Sequence, residues 1–301
     1  MNCMEKEEGA LVCSEELREE LRDARLLYRS SGRYSEVYSF DGGRCRGLIA
    51  EVRRLRDDAF RAVGVALDDS HDGDCGDVDG TYRQIVVWDA HRGAIVGGYR
   101  YAVGREVGAE ALSLSRYFNL TERFVEDYLP RTLELGRTFV SRDYQRDATR
   151  ESLYAISDLW QGIARVVAEC GARYLVGRVT LYPSLGVRAR DMLLDFMRYA
   201  FPPQEELMTA REPLRAGIAR RCCRRIFVGE TVAENYKILL QRMHEMGHTV
   251  PPIISSYMRL SPSLQTFDSY INEDLGGVVE TAIMLNVEEM YDSAKRVYLR
   301  G

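Results

Sequence analysis

The sequence predicts a mixed α/β fold, a central sheet flanked by helices, and three observations carry that prediction. Arg83 to Trp88 and Ala94 to Val103 are strand-like runs joined by Asp89-Ala90-His91-Arg92-Gly93, a hairpin signature. Leu133 to Val140 reads as a short buried strand, apolar at Leu133, Leu135, Phe139 and Val140. A strongly amphipathic helix and a second buried-looking strand, Tyr174 to Leu181, follow it. Strand, helix, adjacent strand is a crossover unit, expected to be parallel and right-handed.

In chain order, Ser14 is placed to cap a helix whose Leu17, Leu21, Ala24 and Tyr28 fall at helical spacing. Gly32 and Gly42-Gly43 break it, so residues 1–45 read as a helical N-terminal extension. Residues 46–301 then form the main domain, with a C-terminal elaboration from about residue 203. Its first helix carries Leu48, Val52, Leu55, Ala59 and Val63 on one stripe, with Arg53, Arg54, Arg56 and Arg61 opposite. Asp68 to Asp79 is an acidic, Gly-rich loop that lacks the bidentate Glu a calcium loop needs at its proper spacing. After the hairpin and the central strand, Leu153, Ile156, Leu159, Trp160, Ile163 and Val167 make the next helical stripe, which Gly171 closes. A helix over Thr231 to Met246 and strand-like runs at Ile253–Leu260 and Val278–Leu285 complete the chain.

Composition narrows the function. A chain of 301 residues with 46% apolar and 29% charged content is globular, and a net charge of −5 gives no field for nucleic acid. Met1 to Gly9 lacks the pattern of a signal peptide, and no apolar run spans a bilayer, so a cytoplasmic location with reduced thiols is expected. His244-Glu245-Met246-Gly247-His248 fits the zinc-protease pattern, but Gly247 and the prolines beyond it end the helix before both histidines can share a face. No metal is expected. Arg211, Arg215, Arg220, Arg221, Arg224 and Arg225 form either a solvated face or a patch for an acidic carrier protein or an anionic membrane.

The central strand holds the candidate chemistry. Strict alternation puts Glu134 and Arg137 on opposite faces, whereas a one-residue bulge at Gly136 brings both to one side. There they are either a structural ion pair or a base and an anion clamp.

The hairpin "IVGGYRYAVG", the strand and loop "LELGRTFVSRDYQRDA", and "ARYLVGRVTL" after a Leu-Trp helix together resemble the GNAT acyltransferase superfamily. More narrowly, they resemble its branch of ornithine-acyl-carrier-protein N-acyltransferases and N-acyl amino acid synthases, often labelled hemolysin-like and related to acyl-homoserine-lactone synthases. The resemblance implies a GNAT-like fold and transfer of a long fatty acyl chain from acyl carrier protein to an amino acid's α-amino group, of the glycine or ornithine class. The product would be an aminolipid precursor. It implies Glu134 and Arg137 as catalytic residues, and Arg56, Phe60, Asp79 (or Asp77) and Arg100 as substrate-binding residues. Val140, Arg146 and Arg150 would meet an acyl donor carried on phosphopantetheine. In the loop, Ala148 and Arg150 replace the small residues of a tight CoA pyrophosphate cradle, which favours a carrier-bound donor over acyl-CoA. Acyl carrier protein, the amino acid and a peripheral membrane contact are the expected partners. The alternatives are an acetyl-CoA-dependent small-molecule acetyltransferase, an acyl-homoserine-lactone synthase, and a non-catalytic acyl-binding module.

Overall fold

A computed structural model of the chain describes residues 13–65, 75–145, 150–214, 223 and 225–298. Helix α1 (Ser14–Glu20) leads into β1 (Arg25–Arg29), β2 (Ser35–Asp41) and α2 (Arg46–Ala62). The hairpin is β3 (Arg83–Asp89) and β4 (Ala94–Val103), followed by the single turn α3 (Gly104–Val107) and the short strand β5 (Phe118–Leu120). The central strand is β6 (Thr132–Val140), joined through α4 (Arg150–Cys170) to β7 (Tyr174–Leu181). Then come α5 (Val187–Ala200), β8 (Met208–Ala210), α6 (Val232–Glu245), α7 (Pro252–Leu260), β9 (Gln265–Asn272), β10 (Val278–Asn286) and α8 (Asp292–Tyr298).

Eight strands form one sheet in the order β1-β2-β3-β4-β6-β7-β10-β9, while β5 pairs with β8 separately. The β6–β7 pair is parallel, as expected of a crossover. Alternation sorts the side chains of β3: Ile85 and Val87 pack under α4, whereas Val86 and Trp88 pack under α2. Leu159, Trp160, Ile163 and Val167 of α4 share the first core with α5, α6 and α7.

Three expectations need correction. Residues 25–41 are not helical: β1 and β2 are strands, and β2 pairs with β3 along its whole length. The N-terminal segment therefore extends the main sheet instead of standing apart from it. The helix stops near Leu21, and of the helical stripe only Leu17 and Leu21 belong to it, both buried. Ile253–Leu260 is a helix, started by Pro252 in its first turn, where a missing N–H costs nothing. The C-terminal region likewise completes the sheet, since β10 lies against β7. The expected helix end after His244 is found: α6 stops at Glu245, Gly247 turns at φ 79, and His248 lies beyond the helix. No helix among the described residues is long and apolar enough to cross a membrane.

Candidate active site

The sheet forks at its centre. β6 and β7 are paired only from Thr132–Leu135 against Tyr174–Gly177. Beyond this, β6 continues beside β4 to Val140, and β7 beside β10 to Leu181. The last paired position needs a glycine, because a Cβ on Gly177 would stand 2.7 Å from the Leu135 carbonyl oxygen. Just past the fork, Arg137 and Thr138 together oppose the single residue Tyr99, which is a bulge. The strain sits on Arg137, whose φ of 52° is in the left-handed region. The bulge thus lies beside Gly136, and Arg137 lines the cleft at the fork within electrostatic reach of Glu280.

A cleft of about 480 Å³ opens at the fork. Arg100, Arg137, Arg178, Ser113, Tyr82 and Glu280 line its polar part. A second, mainly apolar cavity of about 330 Å³ is lined by Ala59, Phe60, Val63, Val140, Ile156 and Ile253. The two share Phe60, Thr138, Tyr182 and Ile253, so they meet at the bulge.

Beneath the first cleft lies a buried ionic cluster. Arg56 Nη2 is 2.7 Å from Asp77 Oδ2, and Arg100 Nη1 is 3.3 Å from Asp77 Oδ1. Gln84 donates to the same carboxylate at 3.0 Å, and Arg53 lies 3.8 Å away. Asp77 and Arg56 are fully buried. Burial opposes the Asp77 charge, but Arg56, Arg100 and Arg53 outweigh it and hold the carboxyl at about 2. Arg100 also stacks over the Tyr82 ring at 4.1 Å. The acid at the cluster's centre is Asp77 rather than Asp79. Asp79 is exposed on the cleft rim, where it caps the Thr81 N–H at 2.8 Å.

Glu134 is 1% exposed and lies behind the cleft wall instead of lining it. Its Oε1 accepts from Ser113 Oγ and from the Leu114 N–H, each at 2.9 Å. Its Oε2 accepts from the Tyr82 hydroxyl and from the Ser113 N–H at 3.1 Å. Ser113 and Tyr82 are therefore the side chains between this carboxylate and the cleft.

Sequence reasoning missed the opposite wall. Arg178 of β7 donates to the Tyr270 hydroxyl at 2.7 Å and sits 3.1 Å from Glu280 Oε2. Glu280 also accepts from Tyr270, from Asn272 at 2.8 Å and from Thr180 at 3.2 Å. Burial pushes the Glu280 carboxyl up, but Arg178, the Tyr270 and Asn272 hydrogen bonds and Arg137 bring it below its ordinary value. Tyr182, at the junction of the cavities, has its hydroxyl pushed up to about 12 by burial and then by the Glu280 charge. A signal was present: Arg178 and Glu280 are charges inside otherwise apolar strand runs, and such charges are rarely buried without a purpose.

Phe60 packs against Tyr182 with ring centroids 6.5 Å apart, and Val140 ends β6, its carbonyl accepting from Gln145 at 2.5 Å. Arg146 lies outside the described residues, as do Arg215, Arg220, Arg221 and Arg224 of the basic run; Arg150 opens α4. Among the described residues no His/Cys/Asp/Glu group is arranged to hold a metal.

Residues 55–155 match the model of an acetyltransferase (GNAT) domain. A glycine N(alpha)-acyltransferase of Bacteroides thetaiotaomicron is 36% identical over 94% of this chain and 87% of its own. One of Phocaeicola vulgatus is 35% identical over 96% and 90%. Solved structures that align include FeeM, an N-acyl amino acid synthase from uncultured soil microbes, at 11% identity and TM-score 0.43 over 87% of this chain and 97% of that one. A CoA-dependent acyl-homoserine lactone synthase, BjaI, aligns at 12% identity and TM-score 0.38 over 86% and 85%. With identity of this level running through nearly its whole length, the chain belongs to the glycine N(alpha)-acyltransferase family and is an acyltransferase with a GNAT domain.

Proposed function

We propose that the enzyme moves a long fatty acyl chain from acyl carrier protein to the α-amino group of glycine, giving an N-acyl amino acid. The observation that carries this reading is the pair of joined cavities, one arginine-rich and one apolar, meeting at the forked strand. Glycine is the acceptor named for both curated relatives. The polar cleft offers its carboxylate the guanidiniums of Arg100 and Arg137, whose planar forks match a carboxylate. The apolar cavity, floored by Phe60 and Val140, takes the acyl chain or the pantetheine arm.

The chemistry needs a neutral amine, close approach and a donor to the developing oxyanion. The edge of β6 left open past Leu135 supplies backbone N–H groups to the thioester carbonyl. The guanidiniums that hold the carboxylate also disfavour a bound ammonium, which eases loss of its proton. Glu134 is the base that receives this proton through the cleft wall. The Tyr182 phenol, kept protonated at the junction of the two cavities, offers a hydrogen bond to the departing sulfur without giving up its proton.

The test is a donor and acceptor panel with purified enzyme. Long-chain acyl-carrier protein with glycine should turn over far faster than acetyl-CoA with glycine, and ornithine should be the poorer acceptor. Equal or better turnover with acetyl-CoA would place the enzyme among the short-chain acetyltransferases. Strong use of long-chain acyl-CoA would keep the acyl preference and remove the carrier.

A further inference from the structure

Ser113 opens the short turn Ser113–Arg116 and belongs to the cleft lining, whereas Glu134 does not. Its hydroxyl donates to Glu134 Oε1 at 2.9 Å and accepts from Arg178 Nη2 at 3.3 Å. A hydroxyl oxygen accepts two hydrogen bonds, so one position on Ser113 Oγ remains for a ligand. Two backbone N–H groups, of Ser113 and Leu114, hold Glu134 in place independently of this hydroxyl. We infer that Ser113 Oγ is a catalytic residue that relays the acceptor amine's proton to Glu134.

The relay balances simply. Glycine arrives as an ammonium; one N–H proton passes to Ser113 Oγ while the Ser113 proton passes to Glu134 Oε1. The freed lone pair attacks the thioester carbon, forming C–N and, on collapse, breaking C–S. The second N–H proton lost from nitrogen goes to the departing thiolate, and Glu134 returns its proton to solvent by the same path after product leaves. Tyr82 is the other side chain that touches both Glu134 and the cleft. It serves less well, because its oxygen already takes the Ser113 N–H at 2.6 Å and its ring is held under Arg100. Burial, and then the Glu134 charge, also push the phenol far above its ordinary range.

This inference rests on the proposed base role of Glu134, and three variants separate the two. Ser113→Ala keeps both backbone anchors and should lower kcat for glycine about a hundred-fold, the lower end for loss of a proton-transfer group. Its rate should climb about tenfold per pH unit from 7 to 9, because only spontaneously neutral glycine then reacts. Ser113→Thr restores the hydroxyl and should recover the rate to within a few-fold. Glu134→Gln should show the same pH steepening as Ser113→Ala. A near-wild-type Ser113→Ala beside a steepened Glu134→Gln overturns the relay and leaves the base. Falls in both variants without any change in the pH profile overturn both, leaving Ser113 and Glu134 as structural. Near-wild-type rates in both likewise overturn both.

Discussion

Asp77→Asn is the substitution whose consequences follow most directly from the buried cluster. In the folded chain this carboxyl is held at about 2, against an ordinary 3.8. At about 1.36 kcal/mol per unit, the difference corresponds to about 2 kcal/mol of pH-linked stability. Because the folded value is depressed, that stability is fully present above about pH 4 and is lost as pH falls toward 2. At neutral pH, Asn leaves the guanidiniums of Arg56 and Arg100 buried without their anion, and breaking such a pair costs about 3–5 kcal/mol. The retained amide oxygen still accepts one hydrogen bond, which places the expected loss near the lower end. Urea unfolding of both proteins at pH 7, 5, 4 and 3 should show a gap of about 3 kcal/mol that narrows in the two most acidic conditions. Arg100 loses its stop as well, so KM for glycine should rise by more than kcat falls. A gap that stays constant from pH 7 to 3, or one under about 1 kcal/mol at pH 7, would show that Asp77 does not neutralise the cluster.

The other predictions concern the fork. Glu134→Gln turns its amide NH2 toward a backbone N–H that then finds no acceptor, whichever way the amide lies, so the variant should lose about 1–3 kcal/mol of stability besides its rate. A thermal melt beside the kinetics separates the two effects. Arg137→Lys replaces a fork with a point charge and keeps the strained backbone; glycine KM should rise at least tenfold with the melt little changed, and an unchanged KM would remove Arg137 from carboxylate binding. Val140→Phe narrows the apolar cavity, so preference among acyl donors should move toward shorter chains; an unchanged chain-length profile would put the acyl group elsewhere.

What was legible in the sequence divides along the range of the forces involved. Helices α2, α4 and α6 carry their own evidence, a stripe repeating at 3.6 residues with a cap or a glycine stop, and they fell where expected. The β1–β2 pair did not, because Leu17, Leu21, Ala24 and Tyr28 satisfy helical spacing as well as any helix would. What decides their state is an external edge, β3, which takes β2 as a partner over seven residues. Ile253–Leu260 failed for a related reason: a short apolar run is ambiguous by period, and the informative residue was Pro252 at its start.

The site obeys the same logic. Glu134, Arg137 and Arg100 stand in one strand pair, so a local motif proposes them together, and the bulge at Arg137 lies beside the glycine that suggested it. Asp77 and Asp79 are two residues apart in one polar loop, and nothing local tells the buried acid from the exposed one. The choice is made by Arg56, twenty-one positions away on α2, and by Arg100 on β4. Arg178 and Glu280 are separated by more than a hundred residues and meet because β10 lies antiparallel to β7, with Glu280 opposite Thr180 and Ala282 opposite Arg178. A charge within a strand that is otherwise apolar must find its partner across such a pairing or leave the core. That requirement marks Arg178 and Glu280 each as a charge in need of a partner, and the sheet order decides that they meet and form the opposite wall of the cleft.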